Sequence, residues 1–250
     1  MNTKSNKCEV KINLSEISTD IIESPKISGL YLGWVRKDTC KWEPLLKLTV
    51  VEGGYTVEHI GNFKEITTLY PGYKGIVLGF ELKGVNQDFP HIFNSRMPLL
   101  RKDVKDDCEF LKLDYPQINK MAYVGRHGGR ICGDPFSICP IIEPDSVGNY
   151  IFYCTLDGVE DIGWTLKDWD EVRSQTEGFE LIKAGDKYSL ELQGKVLGCL
   201  EEYFNLIDGE MTSIEIINFT DIKKWQGQGI LLKIIIQSSN AYSHQLFSSI

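Results

Sequence analysis

The chain has 250 residues, of which 42% are hydrophobic, 11% aromatic and 25% charged, and its net charge at pH 7 is −8. These proportions suit a packed core and exclude a wholly disordered chain, and the length accommodates one large domain or two small ones. The acidic balance argues against general binding to nucleic acid, where affinity comes largely from neutralising phosphates.

The charge is unevenly distributed. Residues 1–95 are balanced, with 11 basic and 11 acidic side chains, whereas 96–130 carry 8 basic against 5 acidic. Residues 140–220 carry 5 basic against 17 acidic. A nucleic-acid site would therefore be local to 96–130, and the acidic stretch would face water or a basic protein partner. The polar start, Met1 to Lys7, lacks the apolar core of a signal peptide. The most apolar run, Ile230 to Ile236, contains Lys233 and is too short to span a bilayer. A soluble, cytoplasmic protein with no membrane association is expected. The seven cysteines (Cys8, Cys40, Cys108, Cys132, Cys139, Cys154 and Cys199) are then reduced thiols, most of them acting as small buried hydrophobes.

In chain order, residues 1–27 are weakly patterned and read as an N-terminal arm. Leu30–Val35 and Leu45–Val51 are rich in strand formers, Glu52-Gly53-Gly54 signals a turn, and Tyr55–His59 alternates after it, which together predict a β-hairpin. The periodicity then becomes helical. Val104, Cys108 and Leu111 lie on one helical face. A second short helix is expected with Asp114 as cap and Pro116 in its first turn, with Ile118, Met121 and Ala122 facing inward, ending at Gly125–Gly129. Strands resume at Phe136–Ile138 and Tyr150–Leu156, separated by a loop from Pro140 to Gly148 that marks a boundary. Thr165 and Asp168 resemble a capping box for a helix carrying Trp169 and Val172. Tyr188–Leu192, Lys195–Leu200, Ser213–Phe219 and Ile230–Ile236 read as strands, with a short helix near Glu201–Ile207. The expected fold class is α+β, with two small, mostly antiparallel β modules of SH3-like or barrel-like form and a few short helices. The divisions are an arm (1–27), a first module (28–144), a second module (145–238) and a tail (239–250).

Chemistry-bearing patterns are sparse. The Cys132–Cys139 spacing, with His127 and Asp134 nearby, fits no familiar zinc arrangement, so no metal and no cofactor is expected. There is no nucleophile elbow, and the four histidines lie in unrelated contexts: His59 on a sheet face, His91 packed among prolines and aromatics, His244 in a polar tail, and His127 in Gly125-Arg126-His127-Gly128-Gly129-Arg130. This last segment could cradle a phosphate through glycine N–H groups and two arginines. It could equally be a helix C-terminus, with glycine after the last turn and basic residues complementing the helix dipole, and the residues favour that reading. The adjacent acidic pairs Asp106-Asp107, Glu160-Asp161 and Glu201-Glu202 read as solvated faces.

From Phe93 to Phe136 the chain resembles a bacterial family whose pattern is carried here by Phe93, Arg96, Met97, Leu111, Leu113, Gly128, Gly129, Arg130, Asp134 and Phe136. That block also resembles the N-terminal subdomain of HipA-type toxin kinases. In that family the second half is a HIRAN domain, a small barrel-like module associated in other proteins with DNA ends. Asp157-Gly158-Val159, Lys183–Tyr188 and Lys195–Gly198 resemble its opening strand, its Gly-Asp turn and a later strand. The family's pocket-forming stretch would lie between Leu192 and Lys195, where this chain has only Gln193-Gly194. The resemblance implies a non-enzymatic interaction protein, serving a mobile element, a toxin–antitoxin pair or a defence system through a protein partner. The expected contact residues are Arg96, Arg101, Lys102, Arg126, His127, Gly128, Gly129 and Arg130, with DNA as the alternative ligand. An enzyme using His127 on a phosphorylated substrate is the third reading.

Overall fold

The computed structural model describes residues 6–7, 10–14, 20–36, 41–61, 63–69, 84–97, 104–130, 135–158, 166–175, 177–219 and 229–243. Within them the fold is α+β, with mostly antiparallel strands and short helices.

The first half is organised by one antiparallel sheet. β3 (Ile27–Val35) pairs with β4 (Trp42–Val51) on one side and with β6 (Phe136–Ile142) on the other, and β5 (Gly54–His59) closes the far edge through the turn at Glu52-Gly53. β3 is buried on both faces, which explains its nearly continuous apolar run. Leu30, Leu32, Trp34, Leu46 and Leu48 join a core with residues of the helical section, among them Phe93, Cys108, Leu111, Ala122 and Tyr123. The opposite face offers Tyr31, Trp42, Cys139 and Ile142 to a second core shared with the rest of the chain. Trp42 fits there because Gly33 has no side chain: a Cβ on Gly33 would lie 1.9 Å from the indole. The indole N–H donates to Ser137 Oγ at 2.9 Å, and the ring meets Tyr203 edge-on at 6.0 Å.

The helices are α1 (Phe63–Leu69), α2 (His91–Asn94), α3 (Val104–Phe110), α4 (Lys120–His127) and α5 (Leu166–Ser174). Val104, Cys108 and Leu111 are buried as their spacing predicts. α4 starts later than expected: Asn119, not Asp114, is its cap, with the side chain accepting from Ala122 N at 3.1 Å, and Gly125 lies inside the helix. Asn caps as well as Asp, and the Pro116 signal belongs to the preceding turn. α5 is present, with Val172 buried, while Thr165 lies outside the described residues.

The second half is barrel-like. β7 (Asn149–Thr155), β12 (Ile230–Gln237) and β11 (Glu210–Phe219) form one antiparallel run, and β8 (Phe179–Ala184), β9 (Lys187–Leu192) and β10 (Lys195–Cys199) form another. Two links join the runs. Asp157 and Cys199 exchange backbone hydrogen bonds at 2.8 and 2.9 Å. On the other side the N-terminal segment crosses between them: β1 (Asn6–Lys7) pairs with β8, and β2 (Lys11–Leu14) pairs in parallel with β11. The arm expected from the sequence thus supplies a strand to the barrel. Its pattern is too short to announce that, since two and four paired residues carry little periodicity. Gln193 and Gly194, with φ of 51° and 80°, make a two-residue turn between β9 and β10, in the left-handed conformation that matches hairpin twist.

The two halves do not have separate cores. Ile217 and Leu231 of the barrel belong to the first cluster, and Tyr31, Trp42 and Cys139 to the second. The tail is also partly built in, because Tyr242 donates its hydroxyl to Pro140 O and accepts from Ile142 N, both at 2.8 Å.

Candidate functional site

The residues singled out from the sequence come together around the C-terminus of α4, but their charges point into the protein. Gly128 ends the helix with φ of 72°, and Gly129 follows at 60°. A Cβ on Gly129 would lie 2.6 Å from Ile138 Cδ1, and one on Gly128 would lie 2.8 Å from Glu201 Oε1. This is the glycine helix ending that the residues favoured, and it packs against β6: Ile138 N donates to Gly128 O at 2.7 Å.

Arg96 is 4% exposed. Its Nη1 donates to Gly129 O at 2.6 Å, and its guanidinium lies 5.4 Å from the Phe136 ring. Arg126 is 2% exposed. It donates to Leu111 O, Lys112 O, Ile22 O and Ser24 Oγ at 2.5–3.1 Å and lies over the Tyr153 ring at 4.7 Å. Burial lowers its pKa to about 10, so it remains charged at neutral pH. Neither arginine is on a surface where a phosphate could reach it. Both use the multiple donors of guanidinium to satisfy backbone carbonyls at chain crossings. His127 is half-buried and stacks on Tyr123, with ring centroids 5.8 Å apart. Tyr123 in turn donates to Asp107 Oδ2 at 2.8 Å. Arg101 and Lys102 lie outside the described residues. The exposed charges of this section are Lys105 and Lys120, interleaved with Glu109 and Asp114, so the described surface is mixed in sign and not basic.

Arg130 joins the two halves. It forms a two-pronged pair with Glu201 (2.9 and 2.9 Å), and also reaches Glu202 at 2.9 Å and Asp157 at 3.1 Å. One guanidinium therefore faces three carboxylates. Glu201 is 3% exposed, and burial pushes its carboxyl up to about 7 against the opposing pull of Arg130. For Arg130 burial acts the other way, but Glu201, Asp157 and Glu202 outweigh it and keep the guanidinium charged. The anion that the glycine–arginine segment was expected to attract is thus an internal one, the Glu201 carboxylate.

Sequence reasoning missed Glu201 by reading Glu201-Glu202 as a solvated pair. The signal was in the neighbours: Leu200, Tyr203 and Phe204 are all buried, so a carboxylate among them needed a partner. The 3₁₀ helix Glu202–Asn205 follows directly and carries Tyr203 into the shared core.

Cys139 and Cys154 are fully buried, with burial raising both well above the usual thiol range, and Cys108 is pushed up to about 11. All three are inert packing thiols. Cys132 lies outside the described residues. Among the described residues no group of three or more His, Cys, Asp or Glu side chains is arranged to hold a metal ion. His91, expected to be packed, is exposed because it opens the short helix α2 at the surface, where it lines a shallow cleft with Asn86 and Asn94. No helix among the described residues is long and apolar enough to cross a membrane. Comparison with known proteins returned no matching family model, no similar curated protein and no similar solved structure.

Proposed function

We propose that this chain is a non-enzymatic binding protein, of HipA-N-like and HIRAN-like build, whose acidic barrel half engages a basic protein partner. One observation carries this reading: Arg96, Arg126 and Arg130 spend their charges on partners within the fold, while the described barrel residues direct acidic groups outward. The half-buried Glu180 and Glu191 are register partners across β8 and β9, and Glu177, Asp186 and Glu210 are exposed elsewhere on this half. An excess of exposed carboxylates attracts a cationic surface and steers its association. The barrel-like closure supports the HIRAN-like part of the reading. The tight Gln193-Gly194 turn, standing where that family places its pocket-forming stretch, favours a protein partner over a DNA end.

The test is titration of a fluorescent Lys/Arg-rich peptide into the wild-type chain and a Glu180→Lys/Glu191→Lys variant. The expected result is affinity that falls with salt and drops about tenfold or more in the variant. Equal affinity for the two proteins would remove the acidic face as the contact.

A further inference from the structure

A cleft of about 410 Å³ opens where the chain enters α2, and the residues around it are held by the core. Asn86 exchanges backbone hydrogen bonds with Tyr55 of β5, each at 2.8 Å. A Cβ on Gly54 would lie 2.1 Å from Asn86 O, so glycine is what lets this loop lie against the strand. Phe89 is 8% exposed, meeting Tyr55 edge-on at 5.4 Å and Phe93 at 6.2 Å. Pro90 O accepts from Phe93 N and Asn94 N at 3.0 and 2.9 Å, which fixes the first turn of α2. The cleft is therefore pre-formed, and its volume falls in the range of small-molecule sites. Its polar groups are unspent. Gln87, Asp88 and His91 are exposed, and their side chains make no hydrogen bond or ion pair with another described residue. Asn86 reaches Tyr55 O only at 3.5 Å. Asn94 is half-buried, and its Oδ1, closed to solvent, has no partner. Turning that amide over exchanges an unpaired oxygen for an unpaired NH2, so one end is unsatisfied in either orientation, whereas buried polar groups are ordinarily paired.

The chemistry of the lining selects the ligand. Carboxamides donate and accept hydrogen bonds, a carboxylate accepts, and a neutral imidazole does one of each. Hydroxyl groups, which both donate and accept, match that set. The described lining holds one carboxylate, Asp88, and no Lys or Arg, so a phosphate finds no fixed cation among these residues. Phe89 offers no open ring face, since Tyr55, Phe93 and the Lys120 ammonium at 5.8 Å surround it, so a nucleobase has nothing to stack on there. We infer that this cleft binds a neutral, hydroxyl-rich small molecule, a mono- or disaccharide, whose hydroxyls are held by Asp88, His91 and the amides of Asn86, Gln87 and Asn94. This inference is independent of the basic-partner reading, which rests on the barrel half.

The experiment is saturation-transfer NMR on the full chain with glucose, galactose, mannose, N-acetylglucosamine and maltose, each tested alone, and with adenosine monophosphate as the contrasting ligand. At least one saccharide is expected to show saturable transfer with a Kd on the order of millimolar. Asp88→Ala and Asn94→Ala should each weaken that binding about fivefold or more, as the loss of a hydrogen bond does, while keeping the near-ultraviolet circular dichroism of the wild type. Asp88 is exposed, so its variant decides the matter even if Asn94→Ala does not fold. No transfer to any of the sugars, transfer that Asp88→Ala leaves unchanged, or transfer to adenosine monophosphate in their place would overturn the inference.

Discussion

Replacing Arg130 with Met keeps much of the side-chain volume but removes the cation that Asp157, Glu201 and Glu202 share. Glu201 is 3% exposed, so it cannot recover its hydration. Removing one partner of a buried ion pair costs about 3–5 kcal/mol, a large part of a typical stability of about 5–15 kcal/mol. For a chain of this size that corresponds to a fall in Tm of roughly 6–20 °C. The loss depends on pH. Glu201 titrates near 7 in the folded protein, above its unfolded value, so the folded state takes up the proton first. Stability linked to this group is therefore greatest at low pH and is lost as pH rises through 7. Arg130→Met should cost most at pH 8 and distinctly less at pH 5.5, where a protonated Glu201 needs no counter-charge. Urea unfolding of wild type, Arg130→Met, Glu201→Gln and the double variant at both pH values forms a complete cycle. The double variant should be more stable than the sum of the single losses allows, by about 2 kcal/mol at pH 8. Additive losses that are equal at the two pH values would refute the pairing and its linkage to Glu201.

Two further substitutions test the interior. Gly33→Ala would place a Cβ 1.9 Å from the Trp42 indole. It should cost about 2 kcal/mol or more and alter the near-ultraviolet signal of Trp42, whereas an unchanged spectrum and Tm would mean that the indole is not packed there. Arg126→Met removes donors from three carbonyls and Ser24 while relieving the burial of an unpaired charge. The net expected loss is about 1–3 kcal/mol, with faster amide exchange at Ile22, and unaltered exchange there would show that Arg126 does not anchor the segment.

How much the sequence revealed depended on the length of its patterns. The hairpin at Glu52-Gly53-Gly54, the helical face of Val104, Cys108 and Leu111, and the strands from Tyr188 onward were legible, because each repeats its signal over several residues. The glycine ending of α4 was legible because Gly128 and Gly129 sit just after a run of helix formers. The N-terminal strands were not: a strand of two or four residues is defined by its partner, here more than 170 positions away. The arginines were misread for a related reason. Arg96, Arg126 and Arg130 look like a basic surface when counted, and only the fold reveals that their targets are the carbonyls of Gly129 and Leu111 and the carboxylate of Glu201. Composition reports how many charges there are, and burial decides what they do.

The central claim is that the described surface of the barrel half is acidic and that Arg96, Arg126 and Arg130 are engaged within the fold. Fluorescence anisotropy with single-stranded, 3′-overhang and duplex oligonucleotides, run beside the Lys/Arg-rich peptide at low and physiological salt, tests it most directly. The account predicts that the peptide binds and weakens as salt rises, while none of the oligonucleotides binds. Salt-sensitive binding to an oligonucleotide, with the peptide ignored, would contradict it.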